Sequence, residues 1–183
     1  MIDKWVHSPI AIPIVGGILV SVKLNNTKEG IEMARKHYPM GSISSGTMRK
    51  EDLIPAFVDE LEYQAGKDNK DHIALCESIN EAMENDGYFD GEDSDFDLEE
   101  LFDALNEYSA PYFYFGAHPG DGSDYGWWLD IDAIDATFGG IKVPCTEEIP
   151  EGYEGEALVE SDHGNLTLYF CENGKCSEIW SMV

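Results

Sequence analysis

Two segments of the chain place carboxylates three or four residues apart, which is the spacing of one helix face. The first row is Glu77, Glu81 and Glu84, and the second row is Glu99, Asp103 and Glu107. Carboxylates four residues apart repeat about every 6 Å along a helix axis. Like-charge pairs at this spacing cost about 0.2–0.5 kcal/mol each, so the rows do not serve helix stability. Their chemistry suits contact with lysine and arginine side chains.

No basic residue neutralises these rows within the surrounding sequence. From Asp71 to Ile141 the chain has nineteen acidic residues and no lysine or arginine, whereas residues 1–70 balance nine acids against nine bases. Residues 71–183 therefore carry the whole formal charge of −26. A net charge of about 2–8 in magnitude keeps a small domain soluble, and a larger excess influences partner choice. We expect an acidic surface that repels nucleic acids and membranes and attracts a basic protein groove, a cation, or both.

The expected surface consists of the two rows and the acidic turn that joins them. Its predicted partner-binding residues are Glu77, Glu81, Glu84, Asp90, Glu92, Asp93, Asp95, Asp97, Glu99, Glu100, Asp103 and Glu107. If the two helices pack as neighbours, their axes lie about 8–10 Å apart and the rows run side by side. By angular count Phe96 points to the acidic side, where it is either an interface anchor or folded back in a frayed first turn.

A Gly/Asp-rich segment, residues 117–126, offers a different chemistry. His118, Asp121 and Asp124 have the side chains used in metal-assisted hydrolysis, although their spacing matches no metal motif and favours ordinary turns. Residues 86–97 superficially suggest an EF-hand calcium loop, but Tyr88 stands at the third position, where a ligand is required. The sequence also lacks a nucleophile elbow, a phosphate-binding loop and a zinc-binding HExxH helix. We favour a non-enzymatic function and assign no catalytic residue, metal ligand or cofactor.

The elements that must position these side chains follow from hydrophobic periodicity and from Gly and Pro punctuation. The predicted helices are 27–38, 51–65, 72–85 and 95–108, with Asp71 as the cap of the third and a Ser94/Asp97 capping box at the fourth. The predicted strands are 5–12, 17–24, 112–115, 127–131, 156–160, 166–171 and 176–182. This pattern predicts one α+β domain over residues 1–183, with about four helices packed on a largely antiparallel sheet and a C-terminal β-meander.

Cysteine usage and hydropathy bear on the compartment. Asn173-Gly174 is a strong signal for a two-residue hairpin turn, which places Cys171 opposite Cys176. A cross-strand disulfide is compatible with this register, but four cysteines without a dense framework favour free thiols in a reducing compartment. No apolar run reaches the roughly 20 residues of a membrane span. The expected location is the cytoplasm.

Three strings of the C-terminal part resemble those of small, uncharacterised acidic proteins of phages, plasmids and mobile elements. They are Phe113-Tyr114-Phe115-Gly116-Ala117-His118-Pro119-Gly120-Asp121-Gly122, Ser161-Asp162-His163-Gly164-Asn165 and Glu178-Ile179-Trp180. In charge and size the chain is also similar to anti-restriction and anti-CRISPR proteins of phages and plasmids that mimic DNA. The second resemblance is one of physical character alone, and it transfers no functional residue.

The leading hypothesis is an acidic inhibitor that occludes the basic DNA- or RNA-binding groove of a defence or DNA-handling protein. Its partner would be a basic nucleic-acid-binding protein, with no direct contact to nucleic acid or membrane. One alternative is a metal-dependent enzyme or cation-binding module that uses His118, Asp121 and Asp124. Another alternative is an acidic adaptor without inhibitory action. The sequence does not predict the target or the oligomeric state.

Overall fold

The computed structural model describes residues 37–183, which fall into two compact units. The first unit is His37–Gly140, and the described part of the second is 141–183. The strands predicted at 5–12 and 17–24 and the body of the helix predicted at 27–38 lie outside the described residues. The prediction of one domain over the whole chain stays a prediction. Among residues 37–183, no helix combines the length and the hydropathy that crossing a membrane requires.

The first unit contains the three other predicted helices. They are α1 (Lys50–Ala65), α2 (Lys70–Met83) and α3 (Asp93–Asn106), and a short helix α4 (Ile131–Thr137) was not predicted. The buried stripe of α1 is the predicted one, because Ile54, Phe57, Val58 and Leu61 are all at most 1% exposed. Pro55 lies in the first turn of α1, where the missing N–H would have no partner in any case.

Both predicted helix caps were wrong. The cap of α2 is Asn69, whose side chain accepts from the backbone N–H of His72, and not Asp71. Ser94 lies inside α3 and is fully buried, with its hydroxyl donating to the carbonyl of Gly91 at 2.9 Å. The hydroxyl thus bonds to the preceding turn rather than to the start of the helix. Each helix therefore begins about two residues earlier than the sequence pattern indicated.

The sheet of the first unit has three antiparallel strands in the order β1-β3-β2. The strands are β1 (Gly41–Ser44), β2 (Phe113–His118) and β3 (Asp121–Leu129). No strand was predicted at 41–44 or at 117–126, yet β1 occupies the first segment and the β2–β3 hairpin occupies the second. The strand predicted to reach Ile131 ends at Leu129, because Asp130 caps α4 by accepting from Ala133.

An aromatic cluster joins α1 and α3 to this sheet. The ring of Phe57 makes edge-on contacts with Phe102 and with Phe115, each with ring centroids 5.1 Å apart. Phe115 packs on Trp127 across the strands at 4.8 Å, and the Trp127 indole N–H donates to the carbonyl of Leu105 in α3. Rings of this size dominate the burial of a small core, so this cluster fixes the helices over one face of the sheet.

The described part of the second unit is a four-stranded sheet in the order β4-β5-β6-β7. Its strands are β4 (Ile141–Val143), β5 (Gly155–Glu160), β6 (Leu166–Glu172) and β7 (Lys175–Met182). The antiparallel run β5-β6-β7 is the predicted meander, and β4 adds a parallel edge strand that was not predicted. The α+β class is confirmed by these helices and two sheets.

The turn at Asn173-Gly174 is also confirmed, with Asn173 and Gly174 both at positive φ. It sets Cys171 opposite Cys176, and the two are joined by a disulfide. The preference for free thiols at this pair was therefore wrong. Cys76 and Cys145 are free.

Candidate functional site

The carboxylates that the sequence assigns to a partner surface are almost all exposed. Eleven of the twelve lie on the surface of the first unit, on α2, on α3 and on the turn between them. The exposed members are Glu77, Glu81, Glu84, Asp90, Glu92, Asp93, Asp95, Glu99, Glu100, Asp103 and Glu107. Their contact with a partner stays a prediction, while their accessibility is a property of the fold.

Asp97 is the exception, because it is half-buried and has a structural role. It accepts a hydrogen bond of 2.6 Å from the phenolic O–H of Tyr88, which is itself 8% exposed. Burial and then the bond to this carboxylate raise the pKa of Tyr88 above its usual range. Asp97 thus holds the turn before α3 against the helix, and its contact with a partner stays a prediction.

Two of the exposed carboxylates have a nitrogen-bearing partner from elsewhere in the unit. The ammonium of Lys50, at the start of α1, lies 2.8 Å from the carboxylate of Asp95. The imidazole of His72 lies 3.4 Å from Glu107, and its other nitrogen lies 2.9 Å from the hydroxyl of Tyr108. Only the first of these two contacts joins side chains that both carry a formal charge. Part of this acidic surface is therefore neutralised by a base from another segment, although residues 71–141 contain no lysine or arginine.

The two rows do not run side by side, so that expectation was wrong. α1 approaches both α2 and α3 closely, whereas α2 and α3 approach each other far less. The contact of His72 with Glu107 joins the first turn of α2 to the end of α3. The helices are therefore antiparallel, and Glu81 and Glu84 lie at the opposite end from Glu107.

Helix α1 adds acidic side chains that sequence reasoning missed. It carries Glu51, Asp52, Asp59, Glu60 and Glu62 against Lys50 alone. These acids were missed because residues 1–70 as a whole have equal numbers of acids and bases. Five of those nine bases precede residue 37 and so lie outside the first unit. Counted over the compact unit His37–Gly140, twenty-five acids stand against four bases. A charge count by helix rather than by chain segment would have found this signal.

Glu62 shows that this acidity continues from α1 onto α2. Its carboxylate accepts from the side chain of Asn80 on α2 at 3.2 Å. Burial, followed by the nearby charge of Glu62, raises the pKa of Cys76 to about 11. The field of α1 therefore reaches residues of the neighbouring helix.

Phe96 has the position expected of an interface anchor. It lies in the first turns of α3 and is 63% exposed, so the folded-back alternative does not hold. Its neighbours in sequence are Asp95 and Asp97, and Glu92 and Glu99 lie one turn away on either side. An exposed aromatic ring surrounded by carboxylates provides apolar contact area within a charged surface.

The alternative metal site does not assemble. The Nδ1 atom of His118 accepts from the backbone N–H of Gly120, and Asp121 accepts from both the N–H and the hydroxyl of Ser123. Asp124 accepts from the hydroxyl of Ser42 on β1. The bonds from Ser123 hold the pKa of Asp121 below its usual value. Within residues 37–183, no three His, Cys, Asp or Glu side chains come together as metal ligands.

Comparison with known proteins adds no identification. No protein-family model, no curated protein and no solved structure matches the chain. The resemblance to acidic proteins of mobile elements stays a prediction.

Proposed function

We propose that this protein is an acidic inhibitor that occupies the basic nucleic-acid-binding groove of a defence or DNA-handling protein. The observation that supports the proposal is the excess of exposed carboxylates over bases on the helices of one compact unit. Duplex DNA presents one phosphate about every 3.4 Å along each strand. The helices offer a sparser array of anions on a folded unit.

The proposed mechanism is competitive occlusion. Lysine and arginine side chains that normally hold phosphates would instead pair with the carboxylates of α1, α2 and α3. A field of one sign raises the rate of association, and this effect weakens as salt screens it. The Debye length falls from about 10 Å at 0.1 M salt to about 3 Å at 1 M. The ring of Phe96 would supply the apolar contact that ion pairs alone lack.

The proposal is tested by release of proteins from immobilised DNA. A cell lysate is loaded on DNA-cellulose at low salt, and the purified full-length chain is added. We expect the chain to release a specific nucleic-acid-binding protein, and added salt to abolish its complex with that protein. Release of nothing, or the same release by polyglutamate, would contradict the proposal.

A pair of matched variants locates the surface. The helix quartet replaces four carboxylates of α3 and its end, as Glu99→Gln, Glu100→Gln, Asp103→Asn and Glu107→Gln. The control quartet removes the same charge from the second unit, as Glu147→Gln, Glu148→Gln, Glu151→Gln and Glu154→Gln, all at exposed positions. With about 0.5 kcal/mol for each exposed pair, the helix quartet should weaken binding about thirtyfold. The control quartet should leave it nearly unchanged, and equal losses would refute a local surface.

The proposed location is the cytoplasm, where nucleic-acid-handling targets reside. The disulfide between Cys171 and Cys176 removes the argument from free thiols, so the location depends on the proposed target alone. An acidic adaptor without inhibitory action is the remaining alternative. It would bind a partner at low salt without displacing that partner from DNA.

A further inference from the structure

The sheet of the first unit has a second face, away from the aromatic core, that also carries rings. Side chains alternate between the two faces along each strand. Phe115 and Trp127 point to the helices, so their neighbours Tyr114 and Trp128 lie on the opposite face, paired directly across β2 and β3. His118 lies on the same face, because its ring meets that of Trp128 edge-on at 4.6 Å. We call Tyr114, His118 and Trp128 the outer platform.

The missing side chain of Gly116 makes room for the Tyr114 ring of the outer platform. Gly116 and Gly126 are paired across β2 and β3, each two residues along its strand from Tyr114 and Trp128. A Cβ atom on Gly116 would come within 3.1 Å of the Tyr114 ring. The absence of a side chain there lets this ring lie along the sheet rather than stand away from it. All three platform rings are partly exposed.

The polar atoms of these rings already have partners within the sheet. The Trp128 indole N–H donates to the carbonyl of Gly116 at 2.9 Å, and the Tyr114 hydroxyl donates to the carbonyl of Ala117 at 2.9 Å. Nδ1 of His118 accepts from the N–H of Gly120. What the platform offers a ligand is therefore mainly the π surface of its rings, whose quadrupole attracts a cation.

Carboxylates stand at both ends of the same face. Asp124 lies on it because it accepts from Ser42, which pairs with Gly126, and Asp130 is close enough to contribute to the raised pKa of Tyr114 after burial. The strands β1, β2 and β3 contain no lysine or arginine. Rings flanked by carboxylates complement a planar guanidinium, which stacks on aromatic faces and donates to carboxylates. A nucleobase would bring its phosphate into a unit with twenty-five acids and four bases.

We propose that the outer platform binds an arginine side chain of a partner protein, with the guanidinium stacked on Trp128 and Tyr114 and bonded to Asp124 or Asp130. This inference does not depend on the proposed inhibitor function, because the platform and the acidic helices lie on different faces of the sheet. A single arginine is sufficient for the site, whereas the helices require an array of cations.

The test uses the full-length ¹⁵N-labelled chain and the peptide acetyl-Gly-Arg-Gly-amide, followed by NMR. The indole N–H resonance of Trp128 is assigned by its disappearance in Trp128→Phe, and that of the buried Trp127 is the internal control. We expect a saturable shift at Trp128 with the arginine peptide and none with the same peptide carrying neutral citrulline. Equal shifts with citrulline, no shift with arginine, or a response to cellotriose in place of arginine would overturn the proposal.

Charge-only variants separate binding from folding. Asp124→Asn with Asp130→Asn keeps acceptors for Ser42 and for the cap of α4, since asparagine is a good cap. We expect this double variant to weaken binding of the arginine peptide about fivefold, the upper size of one solvent-exposed ion pair. The helix quartet should leave the affinity for the arginine peptide unchanged. If the helix quartet lost that affinity, the peptide would bind the helices, and the assignment to the outer platform would be overturned.

Discussion

Replacing Asp103 by asparagine should stabilise the protein, because this carboxylate is surrounded by like charges. Glu99, Glu100 and Glu107 lie three or four residues away on the surface of α3. Three repulsive pairs of about 0.2–0.5 kcal/mol each give about 0.6–1.5 kcal/mol. Because α3 ends at Asn106, the helix dipole also disfavours an anion in this last turn. Both terms have the same sign.

The measurement is urea unfolding of the full-length chain at low salt and at 1 M NaCl. A gain of about 1 kcal/mol corresponds to a rise of about 2–4 °C in the melting temperature for a chain of this length. At 1 M salt the Debye length is about 3 Å, so the gain should largely vanish. If Asp103→Asn were neutral or destabilising at low salt, the carboxylates would not repel one another as the helix geometry requires.

Asp97→Asn is the matched control, since it makes the same chemical change in the same helix. It weakens the bond from Tyr88 by converting a charged acceptor to a neutral one, at a cost of about 1 kcal/mol. It also relieves repulsion from Asp93 and Glu100, which is worth about 0.4–1 kcal/mol at low salt. The net effect should be near zero at low salt and destabilising by about 1 kcal/mol at 1 M salt. The two variants should therefore differ by about 1 kcal/mol at both salt concentrations. At low salt Asp103→Asn departs from the parent protein, and at 1 M salt Asp97→Asn does.

Two further predictions concern packing and thiol chemistry. Gly126→Ala should destabilise the first unit by about 3 kcal/mol or more, because a Cβ atom there would lie 2.0 Å from the carbonyl oxygen of Gly41. Gly122→Ala, where a Cβ atom would meet nothing within 4 Å, should be near neutral in the same urea unfolding assay. Cys76 should resist iodoacetamide at pH 8 while Cys145 reacts, as followed by mass spectrometry. Cys76 is buried with a pKa of about 11, so about one thiol in a thousand is ionised at that pH. Its labelling should rise with pH, and equal rates for the two cysteines would contradict the packing.

Much of the fold was predictable where periodicity was strong. The stripe Ile54, Phe57, Val58 and Leu61 specified α1, because apolar spacing in a long segment leaves little choice of face. The Asn173-Gly174 signal specified the last hairpin through the positive φ that its turn needs. These features depend on residues close in sequence.

The elements that were missed depend on residues far apart in sequence. The strand β1 has a weak β pattern of its own, and it forms because Gly126 lets Gly41 approach β3 closely. Both Asn69 and Asp71 have side chains that could cap α2. Asn69 is favoured because it also donates to the hydroxyl of Tyr108, just beyond the end of α3. No local pattern contains that information.

The candidate surface was predictable in composition but not in arrangement. The row of Glu99, Asp103 and Glu107 is exposed as expected. The role of Asp97 was hidden because it depends on the turn that brings Tyr88 to it. The position of α1 between the other helices follows from tertiary packing, which the charge pattern does not encode.

The strand β1 joins two distant parts of the chain. Gly41 pairs with Trp127 of β3, and all three long helices lie between these residues in the sequence. The strand β1 covers an edge of β3 that would otherwise present unpaired backbone groups to other molecules. A chain beginning after Ser44 would retain the helices and the β2–β3 hairpin but expose that edge. The shortest strand of the first unit thus protects it against edge-to-edge aggregation, and expression fragments should begin upstream of it.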